Sequence, residues 1–534
     1  MKAFAALLDR LAHVRSRNMK VTLIRDYLAE TPDPDRGYAL AALAGELDLK
    51  TAKPAMIREL VAGRTDPQLF RLSYDYVGDL AETAALIWPD PETETQSPPL
   101  AQVVDALNAA KRKDVPALVE SWLDGLGADG RWALLKLITG GLRVGVSARL
   151  ARTALAEMGE PAIDEIEEVW HALSPPYGPL FDWIEGRAAK PSLEDALVFR
   201  PLMLAHPLEE PDRQRLEPAD FRAEWKWDGI RVQLVLKDGE ARLFSRTGDD
   251  ISGAFPDLLD GLSGDAVADG ELLVLRDGEA GTFNELQQRL NRKTVTAKMM
   301  RESPAGIRLY DILFDGAEDL RGLPFDMRRQ RLEHWAATTR DSRLDLSPLV
   351  PFDGLDHLDR LRAEPPHPAI EGLMLKRGDS PYLPGRPKGH WYKWKRDPFT
   401  ADCVMMYAQR GHGKRSSLYS DFTFGAWRDG DGGAEIVPVG KAYFGFTDAE
   451  LAELDRFVRT HTVDRYGPVR AVEQKLVLEV AFYGIHRSTR HKSGVAMRFP
   501  RISRIRWDKP ADEADRLETL EKLIEGTEAA AAAV

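Results

Sequence analysis

The chain has 534 residues, 43% of them apolar and 30% charged, and a single cysteine, Cys403. That length is too great for one ordinary core and suggests about three domains. The lone cysteine excludes an internal disulfide and a cysteine-rich zinc site, and no apolar run is long enough to span a bilayer, so a reducing cytoplasm is expected.

The opening "MKAFAALLDRLAHVRSRN" carries Phe4, Leu7, Leu8, Leu11 and Val14 on one helical face, which predicts a structural helix rather than a targeting segment. Residues 1 to about 175 keep the 3.6-residue period with few β-branched runs and predict an all-α domain. "TETQSPPL" (93–100) and "LSPPYGPL" (173–180) break it, the second as a domain edge. From about 200 the pattern turns to short alternating runs. "IRVQLVL" and "ARLFSR" flank "KDGE", an Asp-Gly hairpin signal, and "GELLVL" precedes a second one in "RDGE". A helix, "FDMRRQRLEHWAATTR" (325–340), interrupts these strands. After "KRDPFTADCVMM" a third region of short strands and glycines, including "FTFGAWRDGDGGAEIVPVG", predicts a small β-barrel. The tail "ADEADRLETLEKLIEGTEAAAAAV" reads as one amphipathic helix with a frayed end. No internal repeat is visible.

The formal net charge is −12. This counts only weakly against a polyanionic partner, because binding depends on where the cations sit. Arg487, Arg490, Lys492, Arg498, Arg501, Arg504, Arg506 and Lys509 are opposed only by Asp508 between 481 and 510. The run is either a solvated basic face or a surface for phosphates.

In "FRAEWKWDGIRVQLVLKDGEARLFSR" (221–246) a lysine, Lys226, stands inside a predicted strand, followed at once by Asp228, Gly229 and Arg231. An isolated Lys-x-Asp is most often a snorkelling or paired cation. The other use is as a nucleophile, which requires a neutral amine and so a pKa pulled down by burial or by neighbouring cations. Further along come "SRTG" (245–248), "DGELLV" (269–274), "LYDILFDG" (309–316), "EGLMLKR" (371–377), "WYKWKR" (391–396) and "RFPRISRIRWDK" (498–509). Each has an ordinary explanation alone: Asp269-Gly270-Glu271 a turn, Tyr310 a core aromatic, Lys393 and Lys395 one solvated strand face. Together they supply what nucleotidyl transfer through a lysyl-nucleotide needs. Those needs are a nucleophilic amine, carboxylates to hold Mg²⁺, an aromatic face for a base, and cations around a triphosphate.

With all six motifs in order over about 300 residues, the sequence resembles the ATP-dependent DNA ligases, members of the covalent nucleotidyltransferase superfamily. The resemblance implies a helical DNA-binding domain (1–175), an α+β adenylation domain with antiparallel sheets (200–397) and a C-terminal OB-fold β-barrel with a terminal helix (398–534). It implies that Lys226 takes the AMP, that Glu224 accepts from the adenine amino group, and that Tyr310, where Phe is usual, stacks on the ring. Arg231 and Arg246 would contact the nucleotide or the nick phosphate. Glu271 would touch the ribose and, with Glu371, serve the metal, Mg²⁺ or Mn²⁺. Lys393 and Lys395 would hold the α-phosphate, and Arg506 and Lys509 would orient the pyrophosphate. Strand alternation puts Glu224 and Lys226 on one face, as it does Lys393 and Lys395. Cations packed against Lys226 are expected to lower its pKa.

"RWALLKLITGGLRVGVSARLARTAL" (131–155) resembles the phosphate-gripping segment of the larger ligases' helical domain, with Lys136 and Arg143 as its cations. Gly140, Gly141 and Gly145 would let backbone amides approach phosphates closely; a glycine-rich helix connector is the plainer reading. "RPLMLA" (200–205) and "VGKAYFGFTDAEL" (439–451) match family segments at the start of the adenylation domain and in the OB fold. Trp225, Trp227, Trp391, Trp394 and Trp507 are large for such sites and read as packing.

The implied partner is nicked duplex DNA, met by a cytoplasmic monomer. The rivals nearest in chemistry are an RNA ligase and a capping guanylyltransferase, which share the lysine motif. An NAD⁺-dependent ligase would need several zinc-binding cysteines. A non-catalytic nucleic-acid-binding module accounts for basic strands and a barrel but leaves Lys226, Glu271 and Glu371 without a task.

Overall fold

The structure, a computed structural model, describes all residues except 48, 50–52, 92–96, 194–196, 277, 291, 293–294, 412–416, 431–432, 490 and 533–534. Residues 93–96 of the predicted break at 93–100 and Arg490 of the basic run therefore lie outside the described residues. Two compact units are present. One comprises Met1–Ile166, Leu173–Pro191 and Phe399–Leu520, the other Glu167–Ala172, Ser192–Pro398 and Glu521–Val534.

Among the described residues the N-terminal region is built of helices and their connections, from Lys2–His13 to Gly178–Ile184. Helix Lys2–His13 buries Phe4, Leu7, Leu8 and Leu11, the stripe that its spacing predicts. Helix Arg17–Glu30 follows, with Ser16 accepting from Met19 N at its start. Between helices Ala128–Ile138 and Ala148–Ala156 runs the glycine-rich segment, with Gly140, Arg143 and Gly145 all at positive φ (66°, 45° and 68°). The buried Lys20 ammonium donates to the carbonyls of Val144 and Gly145 and fixes this loop from beneath.

In the other unit, two antiparallel-rich sheets form the α+β body. The first has the order His206–Pro207, Trp391–Lys395, Ile370–Arg377, Phe221–Trp227, Leu349–Val350. The second runs Glu240–Ser245, Ile230–Lys237, Ala266–Arg276, Ala305–Asp315, Glu318–Asp319, with Glu279–Ala280 and Leu344–Leu346 at its sides. Both predicted Asp-Gly hairpins form. Asp238 and Gly239 adopt φ of 51° and 79°, which matches the right-handed twist of the strands they join. Leu275 and Arg276 pair with Ala280 and Glu279 in the second. Helix Phe325–Thr339 buries Leu332 and Trp335 in a core built from Val232, Leu234, Leu272, Ile307 and Leu309.

The C-terminal region is the OB fold. Its long strands Phe399–Arg410, Tyr419–Gly430 and Gly433–Ala442 pair in sequence, and helix Asp448–Thr460 opens on a Thr447/Glu450 capping box. Strand Val477–Phe482 links Phe399–Arg410 to Arg501–Arg506. The predicted tail helix spans Leu517–Ala532.

Candidate active site

Lys226 stands near the end of strand Phe221–Trp227. Across the sheet its neighbours are Gly372 and then Lys395, while Glu224 faces Met374 and then Lys393. The two rows that alternation predicts are thus alternate rungs on one face of one sheet, with the Trp225–Leu373–Trp394 rung between them. Between Ile370 and Gly372 the register shifts, so Glu371 is the extra residue of a β-bulge. The bulge re-aims its carboxylate. Oε1 of Glu371 accepts from Lys226 Nζ at 2.5 Å, and Oε2 lies 2.5 Å from Lys395 Nζ. Gly372, at φ 143°, has no room for a side chain: a Cβ there would come within 2.7 Å of Lys395 Cα and closer still to the Trp394 carbonyl.

The second sheet supplies Glu271, opposite Arg231 in the ladder. Its Oε1 accepts from Gly229 N at 3.2 Å, and a Cβ on Gly229 would meet Glu271 Cγ at 2.8 Å. The Lys-x-Asp-Gly turn therefore needs its glycine for close approach. Burial and the nearby Glu371 charge push the Glu271 carboxyl up to about 7, against the pull of Lys226 and Arg231.

The expectation of a depressed Lys226 pKa is not met. Burial does oppose its charge, but Glu371, Glu271 and Asp228 outweigh it, and the net direction is upward. Lys393 is depressed instead. Burial and then Arg386, Lys395, Lys226 and Arg246 lower it, and it has no carboxylate partner among the described residues. Arg246 itself is exposed in the turn after strand Glu240–Ser245.

Sequence reasoning missed Lys376, which is 1% exposed. Its Nζ donates to both oxygens of the equally buried Glu224 at 3.1 Å and to the Tyr310 carbonyl at 3.0 Å. It also lies 4.4 Å from the Tyr310 ring centroid. The signal was present in "EGLMLKR", where Lys376 directly follows the apolar run Leu373, Met374 and Leu375. Burial drives this amine down and the Glu224 carboxyl up, each partly restored by the other. Glu224→Ala should therefore cost about 3–5 kcal/mol, because it strands a buried cation. Urea unfolding of Glu224→Ala beside Glu224→Ala/Lys376→Met tests this: the second change should recover much of the loss.

Arg231 donates from NH1 to the Met203 carbonyl at 2.6 Å and from NH2 to Asp269 at 2.7 Å and Tyr382 Oη at 3.3 Å. Its Nε is buried without a hydrogen-bond partner. Arg506 and Lys509, in the other unit, both meet Asp402 at 3.3 Å and 2.7 Å. The Lys136 amine is buried and held by Asp79 at 2.6 Å, an ion pair within the helical fold. Arg143 is exposed and has no carboxylate partner among the described residues. Of the tryptophans, Trp391 is buried, Trp227 lies under the Arg308 guanidinium at 4.1 Å, and Trp507 is exposed.

Two antiparallel sheets with a strand-borne lysine between carboxylates, followed by an OB fold, define a nucleotidyltransferase of the covalent type. Residues 202–395 match the family model described as ATP dependent DNA ligase domain, and 415–509 match the ATP dependent DNA ligase C terminal region. A probable DNA ligase of Koribacter versatilis is 31% identical over 98% of this chain and 96% of its own length. A DNA ligase 1 of Korarchaeum cryptofilum is 30% identical, with 98% of each chain covered. The solved structure named Pmar-Lig_PreS3 shares the fold at a TM-score of 0.60 and 15% identity, over 94% of this chain and 99% of that one. The chain belongs to the ATP-dependent DNA ligases, enzymes that seal nicks in DNA, and the RNA-ligase reading is not favoured.

Proposed function

We propose that Lys226 is the nucleophile of this ligase. The observation that carries the reading is the Lys226–Glu371–Lys395 bridge, with Glu271 and Lys393 beside it. Lys226 Nζ attacks the α-phosphorus of ATP, pyrophosphate leaves, and a phosphoramidate to AMP remains. AMP then passes to the 5′-phosphate of the nick, and the 3′-hydroxyl displaces it. Lys393 and Lys395 offset charge on the α-phosphate. Glu224, paired with Lys376, takes the adenine amino group, and Tyr310 takes the ring face. Arg231 and Arg246 serve the nucleotide or the nick phosphate, and Arg506 and Lys509 the pyrophosphate.

Glu271 and Glu371 are hard oxygen donors close enough to perturb one another, which suits Mg²⁺ or Mn²⁺ completed by phosphates and water. Such an ion would supply positive charge beside the phosphates and take up carboxylate charge that otherwise keeps Lys226 protonated. Among the described residues no three His, Cys, Asp or Glu side chains form a metal cluster, so a permanently bound ion is not part of the proposal. We take residues 1–175, 200–397 and 398–534 as the DNA-gripping, adenylating and OB-fold domains of a cytoplasmic monomer. Among the described residues no helix is long and apolar enough to cross a membrane.

Intact mass after exposure to ATP and Mg²⁺ tests the reading: one added AMP at Lys226 supports it, and an adduct elsewhere refutes it. The helical region has its own test. Arg143→Ala should weaken nick binding and reduce the slope of log affinity against log salt by about one. Lys136→Ala should leave that slope alone and lower the melting temperature instead. A reversed pattern would return Lys136 to the DNA surface.

A further inference from the structure

We infer that Asp402 is a positioning residue for the first chemical step, holding Arg506 and Lys509 at the spacing the leaving pyrophosphate requires. The inference rests on the roles proposed above for those two cations. Asp402 lies on strand Phe399–Arg410, far in sequence from both. One oxygen, Oδ2, takes Lys509 Nζ at 2.7 Å and Arg506 NH1 at 3.3 Å, so a single atom fixes the distance between the two charges. The other oxygen, Oδ1, is buried and has no hydrogen-bond partner, so nothing competes for the carboxylate.

The carboxylate is itself anchored. Its residue's N–H donates to Asp515 Oδ2 at 2.8 Å, and its carbonyl accepts from Asp515 N at 2.8 Å. The acid is 14% exposed, against 22% for Arg506 and 20% for Lys509, so it stands inside the pair and the cations stand toward solvent. Arg506 Nε and NH2 go to Asp508, which is 61% exposed and holds the guanidinium from the outer side. Lysine has three donors and gives one here, leaving two for a phosphate. Long cationic side chains otherwise lose rotamer freedom when they engage a ligand, and an internal acid that orders them beforehand removes that cost from the reaction.

The test uses the full chain, with single-turnover self-adenylation over a range of ATP concentrations beside closure of a nick already carrying AMP. Asp402→Asn keeps the shape and removes the charge. It should slow self-adenylation about ten- to a hundredfold, as expected for loss of a charged hydrogen-bond partner, while closure stays near normal. Asp402→Glu should restore most of the rate. Adding Asp402→Asn to Lys509→Ala should cost much less than Asp402→Asn alone, because the acid acts through that amine. Unchanged self-adenylation, equal loss in both steps, or full additivity with Lys509→Ala each overturns the inference. The two readings fail separately. If Arg506→Ala and Lys509→Ala slow both steps alike, their assignment to pyrophosphate falls and takes this inference with it. If they spare closure and Asp402→Asn leaves self-adenylation unchanged, only the role of Asp402 falls.

Discussion

Lys226→Arg should form no AMP adduct, and neither should Lys226→Ala; total loss is the largest effect expected of any single change in this chain. Arginine keeps the cation and could hold the ion pair with Glu371, so the local fold should persist. What it cannot do is lose its proton at accessible pH, and a protonated group has no electron pair for the α-phosphorus. The comparison separates charge from nucleophilicity, which alanine alone cannot. Intact mass after incubation with ATP and Mg²⁺ reads the outcome. An adduct on the arginine variant would move the nucleophile elsewhere, and Lys395, on the other oxygen of Glu371, would be the next to examine. Closure of a pre-adenylated nick should continue in both variants, since lysyl-AMP is then no longer required.

Arg506→Ala and Lys509→Ala should slow self-adenylation by about two powers of ten or more, in line with a charge contact worth roughly 3 kcal/mol in the transition state. Pyrophosphate leaves only in the first step, so closure of a nick already bearing AMP should stay near normal. Both side chains reach solvent in part, and each shares its carboxylate partner, so truncation should not unfold the OB fold. Single-turnover rates for the two reactions, measured on the same preparations, decide the matter. Equal losses in both would assign the pair to DNA binding or to folding throughout.

The sequence carried a good deal of this, for reasons that can be named. The stripe on helix Lys2–His13 and the Asp238-Gly239 turn were legible because each is settled by neighbours in the chain. Lys226, Glu224, Lys393 and Lys395 were placed on shared faces because strand alternation holds wherever the register is unbroken. Glu371 shows where that logic ends. Alternation alone turns it away from Lys226, and only the bulge, which depends on the partner strand, brings it back. Lys376 was missed, and the pairing of Lys136 not foreseen, for a related reason. Their partners, Glu224 and Asp79, lie 152 and 57 residues away, and nothing local tells a buried, paired amine from a solvated one. The direction of the Lys226 pKa failed likewise, because counting nearby cations in the sequence omits carboxylates that only the folded sheets deliver.

Gly372 has a consequence for how the site can vary. It carries no functional group, yet it sits on the rung between Lys226 and Lys395, and even a methyl there would collide with backbone on the adjoining strand. Backbone cannot swing aside as a side chain can, so the smallest substitution would force the two lysine-bearing strands apart. The two amines would then no longer reach one carboxylate together. Alanine at 372 would act as a spacer inserted into a gauge, changing a distance and leaving every reactive group in place. The tolerance of this centre to mutation is therefore narrow even at a residue that takes no part in its chemistry.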